Sequence, residues 1–284
     1  MISFGVRNLK VFFKDKASVF FSLMAVFIII GLYALFLGDV WTSDMKDIPG
    51  ARALMDNWIM AGLLAVTTVT TTMGAFGIMV TDKEKKIIKD FTASPVSRRD
   101  IVGGYIFGAL IIGIIMSVLS FILAELYIVG SGGALPGVLD IFKILGLIVL
   151  CTLCNTSMIL FMVSFFKSSN AFATASTVLG TLIGFITGIY LPIGVLPTGV
   201  QWVVKCFPVS HGAALFRQVM MTQPLVTSFN GAPQATVDVF KENFGVVFKF
   251  GDSYASPLTS VIILLATAAV FYTLALINIS RKQK

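Results

Sequence analysis

Charge is scarce in this chain. Of its 284 residues only 12% are Asp, Glu, Lys or Arg, while 57% are hydrophobic and the mean hydropathy is +0.93. Soluble domains carry about 25% charged residues, so a water-surrounded globule could not hide this much apolar surface. Histidine is limited to His211 and cysteine to Cys151, Cys154 and Cys206. That leaves too little for a clustered metal centre or a histidine-based catalytic triad, and no catalytic or metal-ligating residue is assigned. Cys151-x-x-Cys154 lies in an apolar run with no second pair to complete a zinc site. It reads as two small thiols facing lipid or a neighbouring helix, a redox pair being the other reading. The phosphate-cradling G-x-x-x-x-G-K-[ST] is also missing, so this chain lacks the loop an ATPase needs and is expected to bind no cofactor itself.

What is present is a set of long apolar runs. A bilayer core about 30 Å thick requires about 20 mostly apolar residues per helical crossing. Six such runs are bounded by charge: Ala17 to Leu37, Trp58 to Val80, Ile101 to Val129, Ile141 to Phe166, Ala171 to Leu191 and Pro257 to Ile279. Lipid offers no partner to backbone N–H and C=O, and the alternation of barrel strands is absent, so each run is expected to be a helix. The first run is too long for a signal-peptide core and lacks a small-residue cleavage site. The fold class is therefore all-α, an integral membrane protein with six transmembrane helices.

Orientation follows from the basic residues. With both termini inside, Arg7, Lys10, Lys14, Lys16, Lys83, Lys85, Lys86, Lys89, Arg98, Arg99, Lys167, Arg281, Lys282 and Lys284 are cytoplasmic, 14 of the 21 Lys and Arg. The net charge of +7 is thus a topology signature. Basic residues scattered over short loops make no nucleic-acid surface. The expected location is a multi-pass position in a cell membrane, of bacterial type, with both termini cytoplasmic.

Residues 1–16 mix Phe4, Leu9, Val11, Phe12 and Phe13 with Arg7, Lys10, Lys14 and Lys16. This pattern suits an interfacial amphipathic helix or a simple extension of the first span. Residues 17–284 form the six-helix domain. Gly38 to Asn57, with Asp39, Asp44, Asp47 and Asp56, reads as a solvated acidic connector. Ser131-Gly132-Gly133 and Leu135-Pro136-Gly137 read as a tight turn. Residues 192–256 are semi-apolar and broken by Pro192, Pro197, Pro208, Pro224 and Pro233. Val195 to Lys205 and Ser210 to Met221 have helical periodicity but are too short to cross, so they read as external re-entrant or interfacial helices. Thr222 to Tyr254 reads as a polar external excursion.

The most informative segment is Thr81 to Asp100, TDKEKKIIKDFTASPVSRRD. It predicts a charged helix from Asp82 to Phe91, a turn at Ser94-Pro95 and a second helix start at Ser97, with Asp100 three residues on in near capping-box register. Ile87, Ile88 and Phe91 sit at helical spacing among the charges. By physics alone this is either a positive-inside loop or an amphipathic helix with one face for a partner.

The run Glu84 to Arg99, with its turn Ser94-Pro95-Val96-Ser97-Arg98-Arg99-Asp100, resembles the loop between the second and third spans of type-2 ABC export permeases. The segment Leu191-Pro192-Ile193-Gly194-Val195-Leu196-Pro197, followed by Gln201-Trp202, Phe207-Pro208-Val209-Ser210-His211 and Arg217, is similar to that family's segment after the fifth span. The chain departs from the family where Lys86-Ile87 replaces the usual Gly-Thr or Gly-Ser.

The resemblance implies a permease for an amphipathic drug, peptide or lipid-like substrate, working with two ATP-binding subunits that carry ATP and Mg²⁺, and with a second permease copy or a paralogue. Asp82, Glu84, Lys85, Lys89, Phe91, Pro95, Arg98 and Arg99 would form the coupling surface. Pro192, Leu196, Pro197, Pro208, His211 and Arg217 would form an external gate. Gly180-x-x-x-Gly184-x-x-x-Gly188 in the fifth span permits close helix approach, as does Gly104-x-x-x-Gly108 in the third. Packing within the chain and a dimer seam are both open, the resemblance favouring the fifth span for the seam.

Thr67, Thr68 and Thr71, within a threonine-rich second span, and Asn155 in the fourth either line a pathway or bond back to their own helices. Glu125, an intramembrane carboxylate, is a substrate or proton site or a structural group. A secondary transporter or channel is the competing reading. It would call for paired intramembrane carboxylates or an inverted repeat.

Overall fold

The computed structural model describes residues 1–43, 45, 48–93 and 95–281, and the side chains of these except at 37, 39, 41, 92, 98 and 281. Asp44, Lys46, Asp47, Ser94, Lys282 and Lys284, which figure in the charge pattern and the turn above, lie outside the described residues. The side chains of Asp39, Arg98 and Arg281 do so too.

Helix α1 (Ile2–Lys14) is amphipathic, and its buried face, Gly5, Asn8 and Phe12, follows a 3- and 4-residue spacing. It ends at Asp15, whose carboxylate then caps α2 (Lys16–Leu32) by accepting from the Ala17 and Ser18 amides at 3.1 and 3.2 Å. Those bonds, led by the Ser18 hydroxyl at 2.6 Å, hold the Asp15 carboxyl below its ordinary range. The chain continues helically through a π turn, Tyr33–Leu37, into α3 (Gly38–Ser43).

The axis of the molecule is α4 (Ala51–Glu84), buried along most of its length. Packed around it are α6 (Arg98–Gly130), α7 (Val138–Val163) and α8 (Ser169–Ile186), with α5 (Ile87–Ala93) hanging from its end. The last helix, α13 (Pro257–Arg281), lies along α7, where the Asn278 amide donates to the Ser164 hydroxyl at 2.5 Å.

Among the described residues, six helices are long and apolar enough to cross a membrane: Lys16–Phe36, Ala51–Glu84, Arg99–Gly130, Val138–Val163, Ser169–Ile186 and Pro257–Ser280. Each coincides with one of the runs read from the sequence, and the chain is an all-α multi-pass membrane protein. At about 1.5 Å per residue, the 34 residues of α4 reach about 51 Å, well beyond a 30 Å core.

Helix ends follow local chemistry. Ser97 caps α6, its hydroxyl accepting from the Asp100 amide at 3.1 Å and donating to the Asp100 carboxylate at 2.7 Å. Helix α8 stops at Gly188, which takes φ +70° while its amide bonds the Phe185 carbonyl and the Ile189 amide bonds the Gly184 carbonyl. This is a Schellman stop. The fifth span is therefore shorter than the apolar run to Leu191 suggested, and Gly188 is its terminator rather than part of a helical glycine stripe.

Residues 192–256 form a cap at the end of the bundle away from α1. They comprise a 3₁₀ turn (Ile193–Val195), α9 (Thr198–Cys206), α10 (Pro208–Met220), α11 (Thr222–Ser228), α12 (Gln234–Asn243) and a two-stranded hairpin, β1 (Lys249–Phe250) with β2 (Ser253–Tyr254). Pro208 occupies the first turn of α10, where its missing N–H costs nothing. Helix α10 is buried against α4, α7 and α13, whereas α9 leaves Val200, Trp202 and Val203 exposed.

Candidate functional site

At the α1 end, the charged segment after the second span is not one helix. Helix α4 carries on to Glu84, the chain turns at Lys85 and Lys86, and α5 starts at Ile87. Lys86 takes φ +62°, the left-handed conformation that glycine adopts without steric cost. The lysine thus stands, strained, in a conformation that favours glycine.

Asp82 was expected on the docking face, but it is buried at 3% exposure. Its carboxylate accepts from Arg7 at 2.5 and 3.2 Å and from the Tyr105 hydroxyl at 2.6 Å. Burial works against the Arg7 charge, yet Asp82 outweighs it and holds the guanidinium above its ordinary value. A buried carboxylate with these partners is spoken for inside the chain. Lys83 is likewise turned inward, donating to the Val163 carbonyl at the end of α7 at 3.2 Å.

Helix α1 is the hub of this end. The Phe4 ring meets Phe91 of α5 and Tyr105 of α6 edge-on at 4.9 and 5.0 Å, and the Arg7 guanidinium lies 5.1 Å from the Phe91 centroid. Asn8 donates to the Gly104 carbonyl at 3.2 Å. A side chain at Gly104 or Gly108 would run into Phe4 or Asn8. The Gly104-x-x-x-Gly108 spacing therefore seats α1 within the chain. Glu84, Lys85, Lys86, Lys89, Asp90, Pro95 and Arg99 remain exposed. This end of the molecule presents a charged surface on α5 whose apolar side is bolted, through Phe91 and α1, to α4 and α6.

In the middle of the bundle the threonines turn to their own helix. Thr67 and Thr71 donate to the carbonyls four residues back at 2.8 and 2.7 Å, and Thr68 to Ala65 at 2.7 Å. The Asn155 amide of α7 donates to the Thr68 hydroxyl at 2.9 Å. All four are buried and line no open passage in this conformation, and the Asn155–Thr68 bond ties α4 to α7. Glu125 is buried at 7% exposure, and neither carboxylate oxygen has a hydrogen-bond partner among the described residues. Cys151 and Cys154 are free and buried, Cys151 packing against Gly212 of α10.

At the capped end, Asp56 is not in a solvated loop. It lies on α4 at 1% exposure, 3.3 Å from Arg52 one turn away, and accepts from Ser131 at 2.7 Å and from Tyr127 at 3.4 Å. Nearby, the Trp58 indole donates to the Phe244 carbonyl at 2.7 Å. Arg217 is buried over the Trp58 ring, 4.8 Å from its centroid, and donates to the Thr187 and Gly188 carbonyls at 2.8 and 3.3 Å. It thereby satisfies the carbonyls of the two residues that end α8's last turn. Burial pulls its pKa down from the ordinary arginine range.

His211 bridges the Ser260 hydroxyl of α13, 2.9 Å from Nδ1, and the Lys205 carbonyl, 2.9 Å from Nε2. A carbonyl only accepts, so Nε2 carries the proton and Nδ1 accepts from Ser260. Burial lowers the His211 pKa, the Lys205 bond opposing it in part. Pro192, Leu196, Pro197 and Pro208 frame the turns that bring His211 and Arg217 to these positions.

A bundle of membrane-crossing helices with a charged helical loop at one end and a helical cap at the other defines a multi-pass membrane protein. The family model for the ABC-2 type transporter matches residues 3–221, and the chain belongs to that family as a permease subunit of an ABC transporter. Family members are the membrane components of complexes with ATP-binding partners and are not themselves catalytic. No curated protein matches the sequence.

Proposed function

We propose that this subunit exports an amphipathic drug, peptide or lipid-like molecule from the cytoplasm, driven by ATP and Mg²⁺ bound on two separate subunits. The α1 end is cytoplasmic in this reading. The supporting observation is the mechanical linkage of α5. Its charged residues, with Lys89 and Asp90 among them, face outward, while Phe91 is held by Phe4 and Arg7 and Arg7 is held by Asp82. An ATP-binding subunit pressing on Glu84, Lys85, Lys89, Pro95 and Arg98 would pass its motion through α1 into the second and third spans. Asp82 acts inside this linkage instead of on its surface.

The second permease copy is placed on α8. Val178, Leu182 and Phe185 are exposed there, and a Cβ at Gly180 would have open space around it. Gly184 belongs inside the chain, against Tyr190. The external gate is α9 and α10, held shut by Arg217 on the end of the fifth span and by His211 on the sixth.

The test is reconstitution of the chain with and without an ATP-binding subunit, with transport of a lipophilic dye read against ATP hydrolysis. The competing reading, a secondary transporter, draws on the unpaired carboxylate of Glu125. It would show proton-driven transport without ATP, abolished by Glu125→Gln. The export reading expects Glu125→Gln to leave ATP-driven transport proton-independent.

A further inference from the structure

Helices α6 and α13 both pack on α7, and at the α1 end a groove of about 620 Å³ lies between them. Its size is within the ~300–1,000 Å³ range of small-ligand sites. Val102 and Ile106 form one wall, and Leu276 and Ile277 the other. Tyr272, Leu276 and Ile277 are each more than two-fifths exposed, so the groove opens sideways, toward the bilayer. From Arg99 to Ile106, and from Ser280 to Tyr272, each wall runs about 10–12 Å along its helix. That is roughly a third of the ~30 Å hydrocarbon core.

The end of the groove is polar. Arg99, Met1 and Ser280 line it, the Ser280 hydroxyl donating back to the Ile277 carbonyl at 2.9 Å. Arg99 is exposed, and among the described residues no carboxylate pairs with it. The adjacent Asp100 is engaged by the Met1 amine at 3.0 Å and by Ser97 at 2.7 Å. A cation at headgroup depth, above an apolar channel open to lipid, has the two-part chemistry of a phospholipid. A free phosphate ion would make no use of the walls. A choline lipid brings its own cation beside the phosphate, against the Arg99 charge.

We propose that this groove binds one anionic phospholipid of the cytoplasmic leaflet, its phosphate on Arg99 and an acyl chain between Val102, Ile106, Leu276 and Ile277. The leaflet rests on the orientation proposed above; the binding itself does not depend on any ATP-binding partner. Such a lipid would brace the third and sixth spans beside the α1 hub, making transport sensitive to lipid charge. It also gives Arg99 a partner other than the ATP-binding subunit.

The test uses the full chain with Cys206→Ser and a bimane fluorophore on Leu276→Cys, reconstituted into phosphatidylcholine vesicles. Dibrominated phosphatidylglycerol or dibrominated phosphatidylcholine is added as quencher. Brominated phosphatidylglycerol is expected to associate about fivefold more strongly, as about 1 kcal/mol per basic residue at the membrane surface implies. Arg99→Gln should abolish that preference and Arg99→Lys should keep most of it. Equal quenching by the two lipids overturns the proposal, as does a preference that survives Arg99→Gln. Absence of quenching by either lipid also overturns it, since protein would then cover the groove. Should Arg99→Gln fail to fold, Ile106→Trp, which fills the groove, must remove the preference instead.

Discussion

Arg7 of the N-terminal helix and Asp82 near the end of the second span lie 2.5 Å apart, although 75 residues separate them in sequence. Around this pair Phe4, Phe91 and Tyr105 close on one another, so three helices and the exposed loop share one fastening. Removing either partner leaves the other without its match in a largely dry site. Arg7→Gln and Asp82→Asn should each lower the thermal midpoint, and a double-mutant cycle should return a coupling of about 1–2 kcal/mol. Coupling near zero would mean that the pair does not hold α1.

Lys86 is expected to be a position where glycine is better. A left-handed non-glycine residue costs about 1–2 kcal/mol, so Lys86→Gly should raise the thermal midpoint by about 2–4 °C. Lys86→Val should lower it, because a β-branched side chain tolerates φ +62° poorly. Differential scanning fluorimetry in detergent is sufficient to read both.

His211 supplies a pH dependence with a definite sign. Its folded pKa lies below the unfolded value of about 6.5, so the unfolded chain takes up the proton first. Its contribution to stability is complete above that unfolded value and is lost as the pH falls from there toward the folded pKa. The thermal midpoint of the wild type should therefore drop between pH 7.5 and 5.5 relative to that of His211→Gln, the difference between the two profiles isolating His211 from other groups such as the buried Glu125. The chain has no other histidine to obscure the effect.

Gly180 and Gly184, one helical turn apart, should behave differently. Gly184→Leu would strike the Tyr190 ring and is expected to destabilise the monomer by about 1–3 kcal/mol. A Cβ at Gly180 meets nothing within 4 Å, so Gly180→Trp should change the monomer's midpoint far less than Gly184→Leu while reducing disulfide cross-linking between copies through Val178→Cys. If Gly180→Trp leaves cross-linking intact, α8 is not the seam.

Arg217→Met should cost at least about 3 kcal/mol, since several buried carbonyls lose a charged donor together. Little folded protein should accumulate. Arg217→Lys should recover only part of the yield, because one ammonium cannot reach both α8 carbonyls and the Gly245 carbonyl that Arg217 spans.

The spans were legible because lipid imposes a length and a composition on every crossing, and their limits shifted where a charge inside a helix was taken for an exit. In sequence Asp56 looks like a connector residue and Asp82 like an exposed residue of a cytoplasmic helix. Both are buried because their partners, Arg52, Tyr127 and Ser131 for one and Arg7 and Tyr105 for the other, are brought by folding from mostly distant positions. The same non-local packing hid the role of Gly104 and Gly108, whose spacing predicts a close neighbour without saying which. The Schellman stop at Gly188 shortened the fifth span, a choice between helix and turn that an isolated glycine leaves open. The threonines were read as either pathway or self-bonded, and their carbonyl bonds make the second description the one this conformation shows. At the coupling loop the charges and the Ser-Pro turn were readable, whereas the inward turn of Asp82 and the bolt at Phe91 required the position of α1.

The exposed face of α5 as the seat of an ATP-binding subunit is tested most directly by purification of the tagged chain in mild detergent with ATP hydrolysis measured in the eluate. Wild-type protein should bring an ATP-hydrolysing subunit with it, and the charge reversal Lys89→Glu with Asp90→Lys should release that subunit while the permease itself still elutes as a folded, monodisperse protein. Transport by the chain alone with no such subunit, or retention of the subunit after the reversal, would contradict the role given to α5.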